Sequence, residues 1–123
     1  MASKGIRDRV AIVGMGCTAF GERWDKSASD LLIDAATDAY ASAKVDPEQI
    51  DAYWLGTTGS GVSGLTLSLP LKIQYKPVTR LENMCATGSE ALRNACYAVA
   101  SGAYVIRLES GGATWTKSLI RAR

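Results

Sequence analysis

Pro77–Gly102 reads P-V-T-R-L-E-N-M-C-A-T-G-S-E-A-L-R-N-A-C-Y-A-V-A-S-G, and this stretch sets the architecture expected of the whole chain. Pro77 to Asn83 predicts a short strand. Its proline is tolerated because it stands at the strand's beginning. A sharp turn follows, then a long helix from Cys85 or Ala86 to Ala100, with Gly102 as a stop signal past its end. Ala86, Gly88, Ala91, Ala95, Ala98 and Ala100 leave little bulk on much of that helix, so it expects close neighbours. Cys85 falls where the helix begins. A thiol there meets the positive end of the helix dipole and several backbone N–H groups without helical partners. Both favour the thiolate, the form that attacks carbonyls. Small residues around the helix start let a substrate carbonyl approach and leave amides to stabilise an oxyanion. The plain alternative for Cys85 is a small core residue, the usual fate of a free cysteine.

Outward from this stretch, Arg9–Gly16, R-V-A-I-V-G-M-G, is an apolar run closed by glycines and predicts a buried strand of the parallel kind. Ser27 or Ser29 then caps a helix to about Lys44, with Asp30 in its first turn. Ala28, Leu31, Leu32, Ala35, Ala39 and Ala43 share one face of it. Asp46-Pro47-Glu48-Gln49-Ile50 reads as an N-cap followed by proline at the first helical position of a short turn. Ala52–Thr57 is a second strand, and the Gly/Ser-rich Thr58–Gly64 is irregular. Leu65–Tyr75 predicts a helical turn or two broken at Pro70, and Tyr104–Leu108 a fourth strand. Strands alternating with helices in this order predict an α/β fold, a mixed sheet with crossover helices.

A chain of 123 residues makes at most one modest domain. Its 14 basic and 12 acidic residues are interspersed, for a net charge of +2, so no basic stripe invites nucleic acid. Trp24, Trp54 and Trp115 show no stacking pattern. The three cysteines, Cys17, Cys85 and Cys96, make no disulfide framework and suit a reducing compartment; Cys17 and Cys96 read as packing residues. No apolar run approaches the ~20 residues of a membrane span, and M-A-S-K-G-I-R-D-R is no signal peptide. The expectation is a cytoplasmic protein without nucleic-acid or membrane partners. There is no histidine, the base from which a cysteine nucleophile most often borrows. Gly14-Met15-Gly16-Cys17-Thr18-Ala19 satisfies G-x-G-x-x-A after a strand, so a dinucleotide-binding module is an alternative. It needs a helix starting near Gly16 and an acid ending the second strand, where Gly56-Thr57 stands instead.

N-M-C-A-T-G-S-E-A-L-R-N-A-C-Y-A-V-A-S-G-A-Y from Asn83 resembles the nucleophile segment of the thiolase superfamily, nearest the sterol-carrier-protein-type thiolases and acetyl-CoA acetyltransferases. The opening R-V-A-I-V-G-M-G-C-T-A-F-G, the helix from Ser27, the D-P-E-Q-I-D turn and the Gly/Ser loop fit in order, so the likeness spans roughly residues 9–104. It implies the N-terminal part of a layered α/β fold over residues 5–104, with residues 105–123 a divergent tail not native to that fold. It implies acyl transfer through Cys85, which would take an acyl group from acyl-CoA for condensation or for thiolytic cleavage in reverse. The Cys85 amide would form part of an oxyanion hole. No cofactor is implied; CoA and its thioester are the substrates. A homodimer through the strand before Cys85, Thr79–Asn83, follows by the same likeness. The family's activating histidine and second cysteine belong to its C-terminal half and have no match here, and the chain stops near a third of a usual family length. A truncated or frame-shifted, inactive fragment, or one half of a split acyltransferase completed by a separate C-terminal half, is therefore expected alongside the enzyme reading.

Overall fold

Ser27 is the serine that opens α1 (Ala28–Ala43) in the computed structural model, which describes residues 5–102, 108–110 and 113–115. The Asp30 amide donates to Ser27 Oγ at 3.2 Å, and the Ser27 amide donates to an Asp30 carboxylate oxygen at 2.8 Å. This reciprocal capping box satisfies two amides that a helix start otherwise leaves open. The helix stops where Lys44 turns left-handed, with φ 56°. Leu31, Leu32, Ala35, Ala39 and Ala43 are half-buried as their spacing predicts, whereas Ala28 at the first turn is exposed. Pro47–Gln49 forms a single tight turn, held by the Asp46 amide donating to Gln49 Oε1 at 2.7 Å.

Two of the expected strands pair side by side. β1 (Tyr53–Gly56) and β2 (Val78–Leu81) run parallel, with Tyr53 opposite Val78 and Gly56 opposite Leu81. Parallel strands need a crossover, and here it is the Gly/Ser loop, the one-turn α2 (Leu65–Ser68) and the turn that follows it. α3 (Thr87–Ser101) packs over β1. The approach is close because Gly56 carries no side chain: a Cβ there would lie 2.9 Å from the Thr87 carbonyl oxygen and 3.3 Å from the Ala91 methyl. The small residues of α3 thus have the near neighbour that their composition predicts. Gly102, at φ 92°, closes the helix. Val45, Leu55, Leu67 and Ala100 form the small apolar core.

The run Arg9–Gly16 departs from expectation. It joins no sheet among the described residues and lies instead along α1, antiparallel to it. The Met15 amide donates to Ser42 Oγ and the Cys17 amide to Asp38 Oδ2, each at 3.3 Å. Gly14 and Gly16 sit so close to the helix that a Cβ on Gly14 would lie 2.6 Å from the Ala43 methyl, and one on Gly16 2.1 Å from the Ala35 carbonyl oxygen. Local sequence sets a preference for strand, but a ladder requires a neighbouring backbone. Ile12 and Met15 accordingly stay 70% and 78% exposed. The same packing answers the dinucleotide reading. These glycines serve contact with α1, and the next helix along the chain begins only at Ala28 rather than near Gly16, as the dinucleotide reading needs.

β3 (Leu108–Ser110) pairs antiparallel with β4 (Ala113–Trp115), Leu108 opposite Trp115. The strand expected at Tyr104–Leu108 and the expected boundary of the tail at residue 104 fall largely on 103–107, outside the described residues.

Candidate active site

Cys85 is exposed in a single tight turn, Met84–Ala86, wedged between β2 and α3. This is the strand, sharp turn and helix that the Pro77–Gly102 pattern predicts, with a turn of 3-10 helix added before α3 proper. The core-residue alternative for Cys85 therefore does not hold. The turn is strained. Met84 has φ 48°, a left-handed conformation that costs a residue with a side chain roughly 1–2 kcal/mol. Such a residue persists only where its surroundings hold it.

The holding groups surround the cysteine on both sides. Thr87 is the one polar residue that is buried among those described, at 6% exposure. Its Oγ1 accepts from the Asn83 amide at 2.8 Å and donates to the Met84 carbonyl at 2.7 Å. The Ala86 amide donates to the Asn83 carbonyl at 2.9 Å, and the Met84 amide donates to the Glu82 carboxylate. Among the described residues the Cys85 amide meets no acceptor. Thiol and amide thus stand together at the carboxyl ends of two parallel strands, the edge of an α/β sheet where ligands gather. The Gly/Ser loop leaves that same edge: the Thr57 amide donates to the Leu81 carbonyl at 3.3 Å, and Arg80 Nη2 donates to the Thr57 carbonyl at 2.9 Å.

The charges beside Cys85 are engaged with one another. Glu90 in the first turn of α3 accepts from Arg93 and Asn94, and Arg93 lies over the Tyr97 ring, 5.3 Å from its centroid. The Arg93 hydrogen bond, then that of Asn94, hold the Glu90 carboxyl below its ordinary range. A general base at neutral pH needs the opposite shift, so Glu90 reads as a structural charge. Elsewhere, burial and the Tyr40 hydroxyl push the Tyr53 phenol far above its usual value; that pair ties α1 to β1.

The other cysteines stand apart in character. Cys96 is half-buried and lines an apolar cavity of about 280 Å³ between residues 10–14, α1 and α3, as a packing role predicts. Cys17 is exposed, with its thiol donating to the Thr18 carbonyl, and so is not a packing residue. Among the described residues no group of His, Cys, Asp and Glu is placed to hold a metal ion, and no helix is long and apolar enough to cross a membrane. Sequence reasoning missed the Thr87 clamp and the Met84 conformation. The signal for the first was a threonine at a helix start, the residue type that bonds back to its own turn.

The described residues thus place an exposed cysteine on a strained turn between a parallel strand and a helix of an α/β layer. Residues 10–122 match the family described as "Thiolase, N-terminal domain", and the chain belongs to that family. It is 38% identical over 112 residues to the acetyl-CoA acetyltransferase of Methanocaldococcus jannaschii, covering 86% of this chain and 28% of that relative. It is 35% identical over 120 residues to the acetyl-CoA acetyltransferase of Methanothermobacter thermautotrophicus, covering 86% and 29%. The chain therefore spans less than a third of the length of these relatives.

Proposed function

We propose that Cys85 is the acyl-accepting nucleophile of a thiolase-type acyltransferase. The observation that carries this is the exposed thiol on the strained Met84–Ala86 turn, beside its own amide. The Cys85 sulfur, as thiolate, attacks the thioester carbonyl of an acyl-CoA. The Cys85 thiol first gives its proton to solvent; a C–S bond to Cys85 then forms, the C–S bond to CoA breaks, and CoA leaves as a thiolate that takes a proton back from solvent. The Cys85 amide donates to the oxyanion of the tetrahedral intermediate, the role for which a preorganised backbone donor is suited.

Acyl uptake is the half of the reaction assigned to these residues. The sequence holds no histidine, and the resemblance assigns both the activating histidine and the second cysteine to the family's C-terminal half. The second half-reaction, transfer to an acetyl-CoA carbanion or to CoA, needs those groups from elsewhere. Acetyl-CoA is the acyl donor suggested by the names of the relatives. Intact-mass measurement after incubation with acetyl-CoA tests the assignment. The expected result is one acetyl adduct on the chain and none on Cys85→Ala; an unmodified chain removes the proposal.

Two partners fit the surfaces. β2 pairs on one side with β1, and its other edge has no strand beside it among the described residues, which suits a second copy meeting at Thr79–Asn83. A separate C-terminal half suits the uncovered apolar run at Ile12–Met15. Co-purification with a histidine-bearing thiolase half is the outcome expected of a split enzyme, and a dimer that persists without it is the outcome expected of the β2 edge.

A further inference from the structure

We propose that Thr87 is the positioning residue of the Cys85 turn, a role that rests on reading Cys85 as the nucleophile. Its hydroxyl reaches across the cysteine, accepting from the Asn83 amide and donating to the Met84 carbonyl. Both bonds close on residues that precede Cys85, from a residue that follows it. This ring holds Met84 left-handed at φ 48°, and Met84 sets the direction in which the chain enters Cys85. Ala86, the capping position of α3, makes no side-chain cap bond, and the hydroxyl of Thr87, the first residue of the helix, bonds back to the turn rather than to the helix's own amides.

Thr87 is itself fixed from the other side. Its γ-methyl packs at Gly56, where a Cβ would come within 3.1 Å of it. One side chain therefore joins the floor of the sheet to the turn, and its two branches do separate things. The methyl anchors α3 on β1. The hydroxyl shapes the turn. A buried hydroxyl with both its donor and acceptor used is specific in a way that a methyl is not.

The branches can be separated by substitution. Thr87→Val keeps the shape and the Gly56 contact but leaves the Asn83 amide and the Met84 carbonyl without their partner. Thr87→Ser keeps the hydroxyl and loses the methyl. With the full chain and acetyl-CoA, uptake at Cys85 is expected to slow about tenfold in Thr87→Val and to stay within about twofold in Thr87→Ser, the size expected when a buried hydrogen-bonding group loses its partner. Thermal unfolding is expected to fall in both variants, in Thr87→Val through the unpartnered Asn83 amide and Met84 carbonyl and in Thr87→Ser through lost packing, so uptake rather than stability separates the two branches. Equal slowing in both variants, or unchanged uptake in Thr87→Val, overturns the proposal.

Amide hydrogen exchange at Asn83 supplies a readout independent of acyl transfer. The wild-type amide is expected to be protected, and Thr87→Val to lose that protection while the interior of α3 keeps its own. An unprotected Asn83 amide in the wild-type chain overturns the clamp even if Thr87→Val fails to fold. A chain that takes up no acetyl group while Asn83 is protected defeats the Cys85 assignment and leaves the clamp standing.

Discussion

Cys85→Ala is expected to abolish acetyl uptake without moving the thermal midpoint, because an exposed side chain contributes little to folding. A large loss of stability in that variant would show that the cysteine packs rather than reacts. Glu90 belongs to a different chemistry. Its carboxyl is held below the ordinary range by Arg93 first and Asn94 second, so it binds fewer protons folded than unfolded. The stabilisation it gives is fully present above about pH 4 and is lost as pH falls through the lowered folded value. Asp30, lowered by its bonds to Ser27, acts in the same direction. Glu90→Gln is expected to flatten the acid limb of the melting temperature between about pH 5 and pH 2 while leaving acetyl uptake near neutral pH in place. An unchanged acid limb would mean the Glu90–Arg93 pair does not persist in solution.

At the scale of elements, the strands and helices were legible where one residue type had one available use. Ser27 or Ser29 with Asp30 in the first turn marked the start of α1, which the structure places after Ser27, Asp46-Pro47 marked the short turn, and Gly102 marked the end of α3. Ser27→Ala removes half of the capping box and is expected to cost about 1 kcal/mol of unfolding free energy, read from the urea midpoint. The Arg9–Gly16 run was legible as apolar but not as to its partner, since β-branched residues report a preference for extended backbone and say nothing of what lies alongside. Packing against α1 decides its place here through Gly14 and Gly16. Gly16→Ala places a methyl against the backbone of Ala35 and Ala39 and is expected to destabilise by about 1–3 kcal/mol, the usual penalty of overpacking. An unshifted urea midpoint in Gly16→Ala would mean that the run does not lie against α1.

On the scale of the molecule, the described residues carry a small core beneath a wide apolar surface. Val45, Leu55, Leu67 and Ala100 are buried, while Phe20, Trp24 and Val62 are 98%, 90% and 94% exposed. The candidate site was half legible from sequence. The position of Cys85 followed from a strand, a small-residue turn and a helix in succession. The device that shapes the turn did not, because a threonine at a helix start signals a bond back to its own turn without saying which backbone groups its hydroxyl meets. Nor does residue order show that Glu82 and Glu90 are spoken for by the Met84 amide and by Arg93.

The central claim is that one thiol of three is built to accept an acyl group, and site-resolved mass spectrometry tests it most directly. The full chain is incubated with acetyl-CoA, quenched, digested and mapped. The account predicts a single acetyl group, carried on the peptide containing Cys85, with Cys17 unmodified although it too is exposed. Acetylation spread over Cys17 and Cys85 alike, or no acetylation of Cys85 at all, would contradict it.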